Sequence, residues 1–161
     1  MEAFLRLVDR VVEGMAIAAG LLLAALTVLL CLDVFIRYFQ AFNLPWIGDV
    51  ASISLYAMTF LAAPWVLKIG GHIAVDSVVQ ALPESLRRGV RSTANLIGAA
   101  ISAVLLFYAV RVLTASYAAG TQVYKMLTYP QWILYTLPPI TFGLLLVLFL
   151  RAAFLRRTAD G

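Results

Sequence analysis

From residue 14 to residue 32 the chain carries no charge. A helix rises about 1.5 Å per residue and the hydrocarbon core of a bilayer is about 30 Å thick, so this run is long enough to cross one. Three further apolar stretches follow within 161 residues. With 63% hydrophobic residues, 12% charged ones and a mean hydropathy of +0.96, the chain cannot cover itself with a water-facing surface. Lipid must be its solvent. The sequence therefore predicts an all-α integral membrane protein with a single four-helix domain over residues 1–161. The spans are expected at about 14–36, 48–67, 90–115 and 131–153, in two hairpins, with a cytoplasmic amphipathic surface helix at about 73–82 between the second and third.

The first 13 residues are amphipathic, with Phe4, Val8 and Val11 at a helical spacing that Met15 continues, and read as an interfacial lead-in. Ala16, Gly20 and Ala24 fall four apart in the first span, as do Ala94, Gly98 and Ser102 in the third. Small faces of this kind let helices approach closely, and these two are expected to meet each other. Asp33 and Arg37 also lie four apart with the acid first, a favourable order on a helix. The pair is either a simple helix-end ion pair or a clamp to another helix or subunit. Trp46 suits the headgroup level, and Asp49 lies where a carboxylate meets the positive end of the second helix. Pro64 removes a backbone donor and predicts a kink or an early end. Pro138 and Pro139 predict a bent fourth helix.

Residues 68–91 form the polar centre, with four of the twelve Lys and Arg residues and the single histidine. Gly70 and Gly71 break the chain, and Val75, Val78, Val79 and Leu82 then follow the spacing of a helix lying on the membrane. Pro83 fits the first turn of a helix that is expected to continue unbroken into the third span. Arg87, Arg88 and Arg91 are expected at anionic lipid headgroups, with partner contact as the alternative. Sorted by segment, Arg6, Arg10, Lys68, Arg87, Arg88, Arg91, Arg151, Arg156 and Arg157 fall on one side, against Arg37, Arg111 and Lys125 on the other. The positive-inside rule then places both termini and the centre in the cytoplasm. The formal charge of +4 thus reports topology and gives no reason to expect nucleic acid.

Several chemistries lack the residues they require. Cys31 is alone, His72 is alone, and no His, Cys, Asp and Glu cluster has metal-ligand spacing. No cofactor, metal or substrate site is expected, and no enzyme. A transporter acting alone needs broken helices and polar groups at mid-depth, whereas the centres of these spans hold only isolated polar residues such as Thr27, Thr59 and Asn95. Four spans without a polar path are better suited to supporting a partner.

The run 33–39 (DVFIRYF), then Leu44-Pro45-Trp46, then Gly70-Gly71-His72-Ile73-Ala74-Val75-Asp76 with Leu82-Pro83, resembles the small membrane (Q) subunit of tripartite ATP-independent periplasmic (TRAP) transporters. One departure is that Asp49 stands where the family usually has Glu. The resemblance implies a multi-pass subunit of the bacterial inner membrane that enlarges the fixed scaffold of a large multi-span permease. It also implies sodium-driven uptake of an organic acid delivered by a periplasmic substrate-binding protein. Asp33, Arg37, Trp46 and Asp49 would then serve bundle closure or partner contact at the outer end. Gly70, Gly71, His72 and Asp76 would fix the turn after the second span, while His72 better suits a loop residue capping backbone groups at the interface. Two other readings stay open: a self-contained exporter working as a homodimer with Asp33 as its proton-coupled carboxylate, and an assembly protein of an unrelated complex.

Overall fold

The computed structural model describes residues 2–39, 46–69, 84–123 and 128–154. The elements are helices α1 (Glu2–Tyr38), α2 (Trp46–Lys68) and α3 (Glu84–Ala119), short strands β1 (Gln122–Val123) and β2 (Tyr129–Pro130), and helices α4 (Trp132–Tyr135) and α5 (Leu137–Phe154). Among the described residues, four stretches are long and apolar enough to cross a membrane: Arg6–Tyr38, Trp46–Lys68, Thr93–Ala119 and Trp132–Ala153. The region of the expected surface helix, with Gly70, Gly71, His72 and Asp76, lies outside the described residues.

Charge positions set the helices against a bilayer. Glu13 and Asp33 in α1, Asp49 and Lys68 in α2, and Arg91 and Arg111 in α3 bracket uncharged runs (14–32, 50–67 and 92–110). Each bracketing pair is about 30 Å apart along its helix, one hydrocarbon thickness. The outer surface is correspondingly apolar, with Leu21, Val34, Phe35 and Phe107 all exposed. Buried apolar residues are few among those described: Val8, Val12, Ala19, Leu26, Ile47, Ala99 and Leu148. Lipid permits this distribution, because association there comes from close helix packing rather than from removing apolar surface from water. Exposed hydroxyls bond back to their own helix: Thr27 to the Leu23 carbonyl, Thr59 to that of Leu55 and Thr114 to that of Val110. No donor is left facing hydrocarbon at these positions.

α1 packs along α2, α3 packs along α5, and contact between α2 and α5 joins the two pairs. The expected seam between the small faces of α1 and α3 is therefore not formed. On α3 that face is taken by α5: a Cβ built on Gly98 would lie 2.5 Å from the Phe149 ring, and Ala99 and Ser102 are buried. A phenyl ring seated on a glycine gains more dispersion contact than a second small face would supply. On α1 the face stays open, with nothing within 4 Å of a Cβ built on Gly20.

The amphipathic lead-in runs without a break into the first span. It is the first part of α1 itself, and Val8 and Val12 form a buried cluster with Leu148 of α5. Pro64 does not end α2, which runs on to Lys68. A proline leaves the carbonyl four residues earlier without its helical donor. Here that carbonyl belongs to Phe60, and the Thr141 hydroxyl of α5 donates to it at 2.9 Å. Thr141 is only 1% exposed. The proline defect and its repair thus form a joint between the two helix pairs. The fourth span is interrupted at Thr136, whose hydroxyl bonds the Ile133 carbonyl at 2.6 Å. Pro138 and Pro139 occupy the first turn of α5, where no N–H is needed. At the same end, Gly120 (φ 58°) takes the left-handed conformation after α3. The strand pair that follows sets Gln122 opposite Pro130 and Val123 opposite Tyr129.

Candidate functional site

Polar chemistry gathers at the two ends of the bundle. At the end that holds the start of α1 and the end of α5, Arg151 Nη1 donates to both Asp9 carboxylate oxygens at 3.0 Å. Lys68 Nζ donates to Glu13 Oε1 at 2.8 Å and lies 3.4 Å from Asp9 Oδ1. Asp9 and Glu13 are one turn apart on α1, where two like charges repel. A cation from α2 and another from α5 offset that repulsion. Each residue sits at the edge of its apolar run, so the four charges meet without entering hydrocarbon. Exposed ion pairs are individually weak, and this network matters because it ties three helices at one level.

At the opposite end Arg37 Nη2 donates to Asp33 Oδ2 at 2.8 Å, a pair made within α1. The Asp33 side chain is 12% exposed and that of Arg37 is 67% exposed. The acid is therefore covered while the guanidinium projects. Phe35, Tyr38 and Phe39 surround that arginine in sequence and are all exposed, with ring centroids 4.8 Å apart for Phe35–Phe39 and 5.4 Å for Tyr38–Phe39. Trp46 and Asp49 open α2 at this end, with Trp46 partly exposed and Ile47 buried beside it. Aromatic residues with an arginine form the composition typical of protein-binding hot spots.

Of the residues singled out by sequence, the structure brings Asp33 and Arg37 into contact and sets Trp46 and Asp49 at the same end. Arg87, Arg88 and Arg91 belong to the helical backbone of α3, and their side chains lie outside the description. Sequence reasoning missed the Asp9–Glu13–Lys68–Arg151 network and the Thr141–Phe60 joint. Both left a signal. Two acids one turn apart stand at the edge of the first apolar run, opposite basic edges of two others, and a threonine lies in a helix that could face a proline.

The network's charges balance, and nothing in it pairs a nucleophile with a base. Among the described residues, no group of three His, Cys, Asp or Glu side chains is placed to hold a metal. What this arrangement does chemically is staple helices at one end and present an aromatic, cationic surface at the other.

Comparison with known proteins adds two findings. The family model for tripartite ATP-independent periplasmic transporters, DctQ component, matches residues 26–159. The ectoine TRAP transporter small permease protein TeaB of Halomonas elongata is 26% identical over 130 residues, covering 81% of this chain. The aligned part is 66% of that relative's length, just under two thirds.

Proposed function

This chain belongs to the DctQ component family of tripartite ATP-independent periplasmic transporters, and from that premise we propose that it is the stationary membrane scaffold of such a transporter. It is a multi-pass protein of the inner membrane and a small permease subunit. On this reading it holds a large multi-span permease, which moves an organic acid inward on a sodium gradient after a periplasmic binding protein delivers it. The solute is selected by those other chains. The relative's name specifies ectoine for its own transporter.

One observation carries the scaffold reading: three of the four spanning stretches are tied at one level by the network around Asp9. Thr27, Thr59 and Thr141 within the spans are also closed off internally, the first two by bonds to their own helix and the third by its bond to the Phe60 carbonyl. No buried side-chain nitrogen or oxygen among the described residues lacks a partner. A scaffold needs that closure, and a substrate path needs the reverse. On this reading the positive-inside bias of the sequence keeps both termini in the cytoplasm, and Arg37 and its aromatic neighbours face outward. There they would meet the permease or the docked binding protein.

The test is extraction of the tagged chain from its native membrane in mild detergent, with mass spectrometry of what accompanies it. A stoichiometric large permease is expected. A chain that arrives alone as a stable dimer, and moves solute in vesicles until Asp33→Asn stops it, would overturn the proposal in favour of an exporter.

A further inference from the structure

α1 and α2 pack side by side, with Ala19, Leu26 and Ser54 buried. Toward the ends that carry Glu13 and Lys68 they also line an apolar groove of about 500 Å³. Its floor includes Ala16, Gly20 and Ala62, residues too small to fill it, and a Cβ built on Gly20 meets nothing within 4 Å.

We infer that this groove holds one acyl chain of a zwitterionic, amine-headed phospholipid from the leaflet on the side of the termini. Depth is the first reason. Glu13 and Lys68 mark the edge of the hydrocarbon, and the groove reaches Leu23 on one wall and Met58 on the other. Each lies ten residues inward of its edge, about 15 Å, half of a core about 30 Å thick. A groove that stops at mid-depth matches a chain hanging from one leaflet. A spanning helix of a partner would need a seat across the whole slab, and the lining of this groove goes no deeper than Leu23 and Met58.

The mouth supplies the second reason. The Glu13 side chain is 59% exposed, with Lys68 Nζ at 2.8 Å. Trp65 lines the same groove near that edge, at the level where an indole N–H meets headgroups. Opposite charges side by side match a headgroup that is itself dipolar, its ammonium beside Glu13 and its phosphate beside Lys68. A phosphatidylglycerol headgroup offers Lys68 the same phosphate but has no ammonium to place beside Glu13.

The experiment uses the full chain, purified with its partners and reconstituted in mixed phosphatidylethanolamine and phosphatidylglycerol vesicles. A trace of either lipid carries a photoactivatable group on its acyl chain. The ethanolamine probe is expected to label peptides 13–23 and 58–66. The glycerol probe should label them about tenfold less, the ratio set by one charge-assisted hydrogen bond. Gly20→Leu fills the groove and should remove the label without changing thermal unfolding. Glu13→Gln, a second variant independent of packing, should bring the two probes to parity. Equal labelling of the wild type by both probes would overturn the inference, as would labelling that neither variant alters. Cross-linking of Gly20→Cys to a permease helix would overturn it in favour of a protein occupant.

Discussion

The two helix pairs are built on the same sequence device with opposite results. α3 and α5 close on each other at this face, with Phe149 seated on Gly98 and with Ala99 and Ser102 buried. α1 and α2 carry an equivalent small face at Ala16 and Gly20, yet leave a groove there, and charges around Asp9 bind the same end. A small-residue repeat therefore marks where a backbone can be approached, and a large side chain at the right level elsewhere decides whether it is. One pair is held by shape and the other, at its open end, by charge.

The comparison breaks most visibly at its two glycines. Gly98→Leu drives a side chain into Phe149 and should destabilise the protein by about 3 kcal/mol, within the range for overpacking. Gly20→Leu enters open space and should be close to neutral. Unfolding in mixed micelles followed by circular dichroism measures both, and similar costs at the two sites would dissolve the distinction.

Next in size is Lys68→Glu, which sets three carboxylates around one guanidinium. It should cost about 2 kcal/mol, an ion-pair loss discounted for partial exposure, and less at high salt. Loss of stability independent of ionic strength would assign Lys68 a packing role instead.

The joint between the pairs gives a smaller effect of distinctive form. Thr141→Val should cost about 1 kcal/mol in the wild type by stranding the Phe60 carbonyl. In a Pro64→Ala background it should cost almost nothing, because residue 64 regains its N–H. Additive costs in that double-mutant cycle would break the link between proline and threonine.

Arg37→Ala comes last, at a few tenths of a kcal/mol in the isolated chain, since an exposed pair within one helix contributes little. Its larger effect should appear in the yield of co-purified permease. Unchanged yield would remove the arginine from the partner surface.

This ordering also separates what could be read from sequence from what could not. Asp33 and Arg37 were legible because a spacing of four is a local geometric statement about one helix. The spanning helices were legible because charge-free length is also local. The pairs Asp9–Arg151 and Glu13–Lys68 lie 142 and 55 residues apart, and only tertiary packing brings them to one level. Pro64 announced a missing bond, yet Thr141 as its remedy depends on how α5 docks on α2. The meeting of α1 with α3 was expected from pattern alone and failed for the same reason. The choice of partner is set by Phe149, which no repeat marks.

A scaffold that stays rigid while its partner moves should tolerate being locked. In a Cys31→Ser background, Asp9→Cys and Arg151→Cys joined by a cleavable bifunctional maleimide would replace the ion pair between α1 and α5 with a covalent link. Solute uptake by the reconstituted complex should be the same before linking, after linking and after cleavage. Uptake that stops on linking and returns on cleavage would show that these helices move during transport, and would contradict the stationary role.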